Sequence, residues 1–105
     1  MFIHTVYFWL KDGTRDEVKK KLVADCYKYL KPIPTVKELW AGPPAMTPRD
    51  VVDNSYQVGL TVVLADEAAH DTYQKHALHL DFIAENKTLF GEVEPTITLF
   101  PVEDT

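Results

Sequence analysis

Residues 2–10 read Phe2-Ile3-His4-Thr5-Val6-Tyr7-Phe8-Trp9-Leu10. β-Branched and aromatic side chains dominate this run, and it stops at Lys11-Asp12-Gly13, a turn signal, so it reads as a strand. Alternation puts Phe2, His4, Val6, Phe8 and Leu10 on one face and Ile3, Thr5, Tyr7 and Trp9 on the other. Neither face carries an acid or a lysine. A strand with one side in water normally shows charge there, so both sides are expected to be covered.

Downstream, Thr14-Arg15-Asp16-Glu17 has the form of a capping box, with Thr14 accepting from the Glu17 amide. Val18, Leu22, Cys26, Tyr29 and Leu30 then recur at helical spacing among lysines, and Pro32 and Pro34 end the helix near Lys31. Residues 35–41, TVKELWA, form a second expected strand, and the Pro-rich stretch to Asn54 a long loop. A third strand is expected over 55–64, with Tyr56, Val58, Leu60, Val62 and Leu64 on its apolar face.

Asp66 is placed to cap a helix of residues 67–76 that turns Ala69 and Tyr73 inward, with His70 a further candidate for that face; solvent exposure is the expectation for His70 and His76. A second helical piece, 78–89, offers Leu78, Phe82, Ile83 and Leu89. Gly91 and Pro95 precede a last strand at 96–100, and a short polar tail, VEDT, follows Pro101.

The order β-α-β, loop, β-α-β is that of the ferredoxin-like α+β fold, a four-stranded antiparallel sheet with helices on one face. The 105 residues fit one domain, 1–105. Such a sheet leaves its second face bare, and here that face carries Tyr7 and Trp9. A homodimer pairing the two bare faces is the expected remedy.

Composition narrows the function classes. Hydrophobic residues make up 46% and charged residues 26% of the chain, the balance of a globular protein and not of a disordered one. A net charge of −5 with no basic stripe argues against nucleic-acid binding and against a polybasic membrane patch. No apolar run approaches the roughly 20 residues that span a bilayer, and the first residues lack the form of a signal peptide. A cytoplasmic location is expected. Cys26 is the single cysteine, so no intramolecular disulfide and no thiolate metal set is available, and its place on the apolar stripe reads as core. His76 and His79 lie three apart without a third ligand, so no metal or other cofactor is expected.

Three segments together resemble the stress-responsive dimeric α/β-barrel (Dabb) family. They are the opening strand with His4, the run Ile33-Pro34-Thr35-Val36, and the stretch Tyr73-Gln74-Lys75-His76-Ala77-Leu78-His79-Leu80-Asp81-Phe82. The family pattern in the last stretch is close to Tyr-x-x-His-Pro-x-His-x-x-Phe, and Ala77 stands where proline is usual. The family includes a plant polyketide (olivetolic acid-type) cyclase that works without a cofactor. The resemblance implies a small hydrophobic pocket between sheet and helices for an aromatic or polyketide-like ligand, with His79 and Tyr73 as the acid–base pair. Phe2, His4, Phe8, Cys26, Val58 and Phe82 would then line it. Cys26 and Val58 stand where the cyclase has a tyrosine and a histidine. A neutral imidazole is a competent base near pH 7, and a tyrosine hydroxyl can steady a developing oxyanion. Against this stands a structural reading, in which His4 and His79 are hydrogen-bonded core histidines and Tyr73 is packing. A non-enzymatic stress-response protein and a cofactor-free monooxygenase of the related dimeric α/β-barrel group are the alternative functions.

Overall fold

The computed structural model describes residues 1–90 and 95–102; the expected breaker Gly91 and residues 103–105 of the polar tail lie outside them. Strand β1, Phe2–Phe8, carries the alternation read above: His4, Val6 and Phe8 are buried, while Ile3, Thr5 and Tyr7 are half-buried on the opposite face. The strand ends two residues before Leu10, which pairs only through an isolated bridge to Phe90.

Strands β2 (Val36–Gly42), β3 (Val58–Leu64) and β4 (Thr96–Pro101) join β1 in the order β2-β3-β1-β4, every neighbouring pair antiparallel. This is the ferredoxin-like arrangement. β1 and β3 take the centre because they carry the most continuous apolar faces, Val58, Leu60, Val62 and Leu64 lying opposite Phe8, Val6, His4 and Phe2. The β2 register shifts between Val36 and Glu38, which sends Leu39 to the core and Trp40 to the open face.

Helices α1 (Asp16–Asp25), α2 (Glu67–Lys75) and α3 (Ala77–Asn86) cover one face. Leu22, Cys26, Leu30, Tyr73 and Phe82 bury their side chains against Val6, Phe8, Leu39 and the inner face of β3. After α1 the chain makes one wide π turn, Cys26–Leu30, closed by the Lys31 amide on the Cys26 carbonyl at 3.3 Å. That widened turn keeps Cys26, Leu30 and Ile33 all on the core side. It also carries Tyr27 to the edge of β2, where its hydroxyl accepts from the Ala41 amide at 3.0 Å and so occupies an edge-strand donor.

Two expectations need correction here. Thr14 does not cap α1: Arg15 holds the cap position without a side-chain hydrogen bond, and the Thr14 hydroxyl donates to the Lys11 carbonyl. The turn at Gly13, with φ of 79°, takes the hydroxyl before the helix can use it. Tyr56 does not share the apolar face of β3. It precedes the strand and lies on the open face, its ring 5.0 Å from that of Tyr7. Gly59 permits this, since a Cβ there would meet the Tyr56 ring at 3.3 Å.

The far ends of α1 and α3 are tied by a buried polar cluster. Asp25 accepts from Lys21 at 2.8 Å and from the Asn86 amide at 3.2 Å, and Asn86 also donates to the Phe82 carbonyl at 3.0 Å. At the start of α2 the expected cap is present, the Asp66 carboxylate accepting from the Ala69 amide at 2.8 Å. Asp66→Ala is therefore expected to cost about 1 kcal/mol, measured as a lowered urea midpoint with unchanged slope.

Candidate functional site

Four ring-bearing side chains meet under the helices, at the end of the sheet where β1 begins. His4 points from β1 into the helix layer; His70 and Tyr73, three residues apart on α2, present one helix face to it. The His70 Nε2 and His4 Nδ1 atoms are 3.0 Å apart, a hydrogen bond in which one ring donates and the other accepts. Tyr73 sits edge-on to both His4, at 5.7 Å between ring centres, and His79, at 4.9 Å. Phe2 closes the His70 side at 5.2 Å.

His79 reaches this cluster because the helix breaks. His76 is extended (φ −63°, ψ 143°), ends α2, and starts α3 with its Nδ1 accepting from the Leu78 amide at 3.1 Å. Ala77 is the first helical residue after that break, the position at which proline is best tolerated. The family's usual proline would enforce the geometry that His76 here adopts without it. The bend turns His79, in the first turn of α3, onto the Tyr73 ring. Its Nδ1 is buried and has no hydrogen-bond partner among the described residues.

Burial sets the electrostatics. It pushes His4 down to about 4, with the neighbouring His70 and His79 rings adding repulsion against a second positive charge. His79 is lowered by burial and by His70; His70 is lowered by burial, with Asp71 and Glu67 opposing. Burial, and then Cys26, hold the Tyr73 hydroxyl well above its usual range, so it keeps its proton. At neutral pH the cluster is three neutral imidazoles around a protonated phenol. Cys26, fully buried, has its thiol pushed up to about 12 by burial, and is no nucleophile.

The structure thus gathers His4, Tyr73, His79 and Phe2, and adds His70. The expectation that His70 faces solvent is overturned, since it is 4% exposed and bonded to His4. Its spacing of three from Tyr73 was the available signal. His76 is half-buried at the helix break. Phe8 and Val58 are paired four residues further along the strands, roughly 13 Å from the His4 level. Phe8 there stacks on Phe90 at 5.3 Å, and Phe82 packs beside it at 6.4 Å. One cavity borders the cluster at Phe2, and another lies at the far end of the strands. The first, of about 310 Å³, is lined by Phe2 with Met1, Ala65, Asp66, Glu67, Pro101 and Val102; the second, of about 390 Å³, opens over Val58. Among the described residues no group of three or more His, Cys, Asp or Glu could hold a metal ion, and no helix is long and apolar enough to cross a membrane.

The open face also carries a residue that alternation of the first strand alone misses. Trp40 on β2 is 56% exposed, opposite Thr61. Tyr7, Trp9, Asp53, Tyr56 and Thr96 line a hollow of about 510 Å³ on that side.

Fold and site together define a protein of the ferredoxin-like class with a histidine–tyrosine cluster under its helices. The sequence matches the stress responsive A/B barrel domain (Dabb) over residues 2–94, and the chain belongs to that family. No curated protein sequence matches it. Among solved structures it is similar to a Dabb family protein of Mesorhizobium loti, at 24% identity and TM-score 0.76, covering 98% of this chain and 97% of that one. A dimeric ferredoxin-like protein of unknown function from Thermobifida fusca matches at 17% identity and TM-score 0.79, over 96% and 90%. The hydroxynitrile lyase of Passiflora edulis matches at 19% and 0.78, over 99% and 94%. At these identities the likeness is one of fold.

The His4 position predicts acid sensitivity. Its ordinary value of 6.5 holds in the unfolded chain, so below that pH the unfolded state takes up the proton first. Stability is complete above pH 6.5 and is lost as pH falls toward 4, by roughly 3 kcal/mol from His4 alone. Urea unfolding at about pH 7.5 and 4.5 measures it, and His4→Phe is expected to flatten the difference. A wild-type loss that persists in full in His4→Phe places the effect elsewhere.

Proposed function

We propose that this chain forms a one-domain homodimer and that its helix-side cluster receives a small hydrophobic, aromatic or polyketide-like molecule. His79 and Tyr73 then transfer a proton on that molecule without a cofactor. The observation that carries the reading is the buried Nδ1 of His79 against the Tyr73 ring, without a partner among the described residues. His4 and His70 meet through one nitrogen each, whereas a buried imidazole nitrogen left without a partner costs about 1–3 kcal/mol. Thr35 Oγ1 and Asn86 Oδ1 are in the same state among the described residues, but only the His79 atom belongs to the histidine cluster, where a ligand that meets it would offset the cost. Neutral at pH 7, His79 is the base; Tyr73, held protonated, is the donor to an oxygen that gains charge as the proton leaves.

Dimerisation is supported by the open sheet face, where Tyr7 and Trp9 are half-buried, Trp40 is exposed, and a row of Thr98, Thr5 and Thr61 crosses the centre. The Thermobifida fusca neighbour is described as dimeric. Light scattering is expected to give twice the 12.0 kDa chain mass at micromolar concentration, and Trp40→Glu to shift the protein toward monomer.

A non-enzymatic role has one observation in its favour: Tyr73 and His4 are only 1% and 3% exposed, as packing residues are. The two readings part on His79→Gln. Under the catalytic reading, aromatic and polyketide-like compounds raise the melting temperature of the wild type, and the variant keeps its fold but loses roughly 100-fold or more in turnover. Under the packing reading, it loses stability while no compound changes either protein.

A further inference from the structure

The cavity of about 390 Å³ lies on the helix side, at the opposite end of the strands from the histidine cluster. Asp16, Lys19, Lys20 and Val23 of α1, Pro43 at the start of the long loop, and Gln57 and Val58 at the start of β3 line it. Its volume lies in the range of small-ligand pockets, roughly 300–1,000 Å³. The chemistry of the lining is uneven. Val23, Val58, Pro43 and the methylene stems of the two lysines make an aliphatic floor with no aromatic ring. Gln57 is already engaged, its Oε1 accepting from the Leu10 amide at 2.7 Å and its Nε2 donating to the Ser55 carbonyl at 3.0 Å. The Asp16 carboxylate is met by Lys19 at 3.6 Å. Lys20, exposed, makes no ion pair among the described residues. An alkyl-lined hollow therefore has one uncompensated ammonium at its rim, on a chain whose net charge is −5.

We infer that this cavity is a binding site for a small aliphatic carboxylate, its tail over Val23 and Val58 and its anionic head at Lys20. The site is independent of the proton-transfer reading of His79. It lies on the helix side of β3, with Pro43 between it and the open-face hollow that Tyr7 and Trp40 line. An aliphatic tail is favoured over a flat ring because the lining offers no side chain for a ring to stack on.

Isothermal titration with octanoate, set against octylammonium at matched ionic strength, tests it on the full chain. Octanoate is expected to bind once per chain and octylammonium markedly more weakly. Lys20→Glu, a surface change, is expected to lower octanoate affinity about tenfold at low salt, and Lys20→Arg to restore it. Val23→Trp fills the hollow and is expected to abolish binding, with circular dichroism confirming the fold. Amide shifts induced by octanoate should centre on Val23 and Val58 and be retained in His79→Gln. Equal binding of the two amphiphiles, no effect of Lys20→Glu, no binding of octanoate, or shifts centred on His4 and Tyr73 would each overturn the inference.

Discussion

The structure depends on one strand being apolar on both sides. β1 lies between β3 and β4, and its His4, Val6 and Phe8 face the helices while Ile3, Thr5 and Tyr7 face outward. A central strand of this kind cannot satisfy itself within one layer. Helices α1 to α3 bury the first set, and the hydrophobic gain of roughly 25 cal/mol per Å² holds them there. The second set stays half-buried on the open face, where Thr98, Thr5 and Thr61 form a row among aromatic side chains.

A consequence of burying that inner face is that an imidazole goes with it. His4 occupies a core position, and a lone imidazole there would leave two ring nitrogens to satisfy. His70 answers one of them at 3.0 Å. A proton added to the accepting nitrogen would break the bond, because both facing nitrogens would then be donors. Burial lowers both rings' pKa, so the pair is held as two neutral imidazoles sharing one proton between them.

The break at His76 decides which histidine joins the cluster. In an unbroken helix, His76 would have followed Tyr73 at helical spacing, with His79 a further turn along. By going extended at His76, the chain starts a new helix at an angle and brings the His79 ring onto Tyr73. The same residue caps the helix that it begins, so the bend is stabilised locally and not only by the core.

The strands, their faces and the order of elements were legible in the residues, because alternation and turn chemistry are local properties. The last turn of that logic, the family resemblance, also indicated His4, Tyr73 and His79. Other features were decided only by tertiary packing. Residues 67–75 offer only Ala68, Ala69 and Tyr73 as apolar side chains, and His70, beside Ala69, reads equally as polar surface or as part of the inward face. Its burial follows from a partner sixty-six positions away. The hydroxyl of Thr14 had two possible acceptors or donors nearby, and the turn at Gly13 took it. Tyr56 fitted the period of β3 but lies outside the ladder, where Gly59 makes room for its ring. Sequence determines what each segment prefers; which side chains then meet depends on contacts made across the whole chain, and the histidine cluster is built of those.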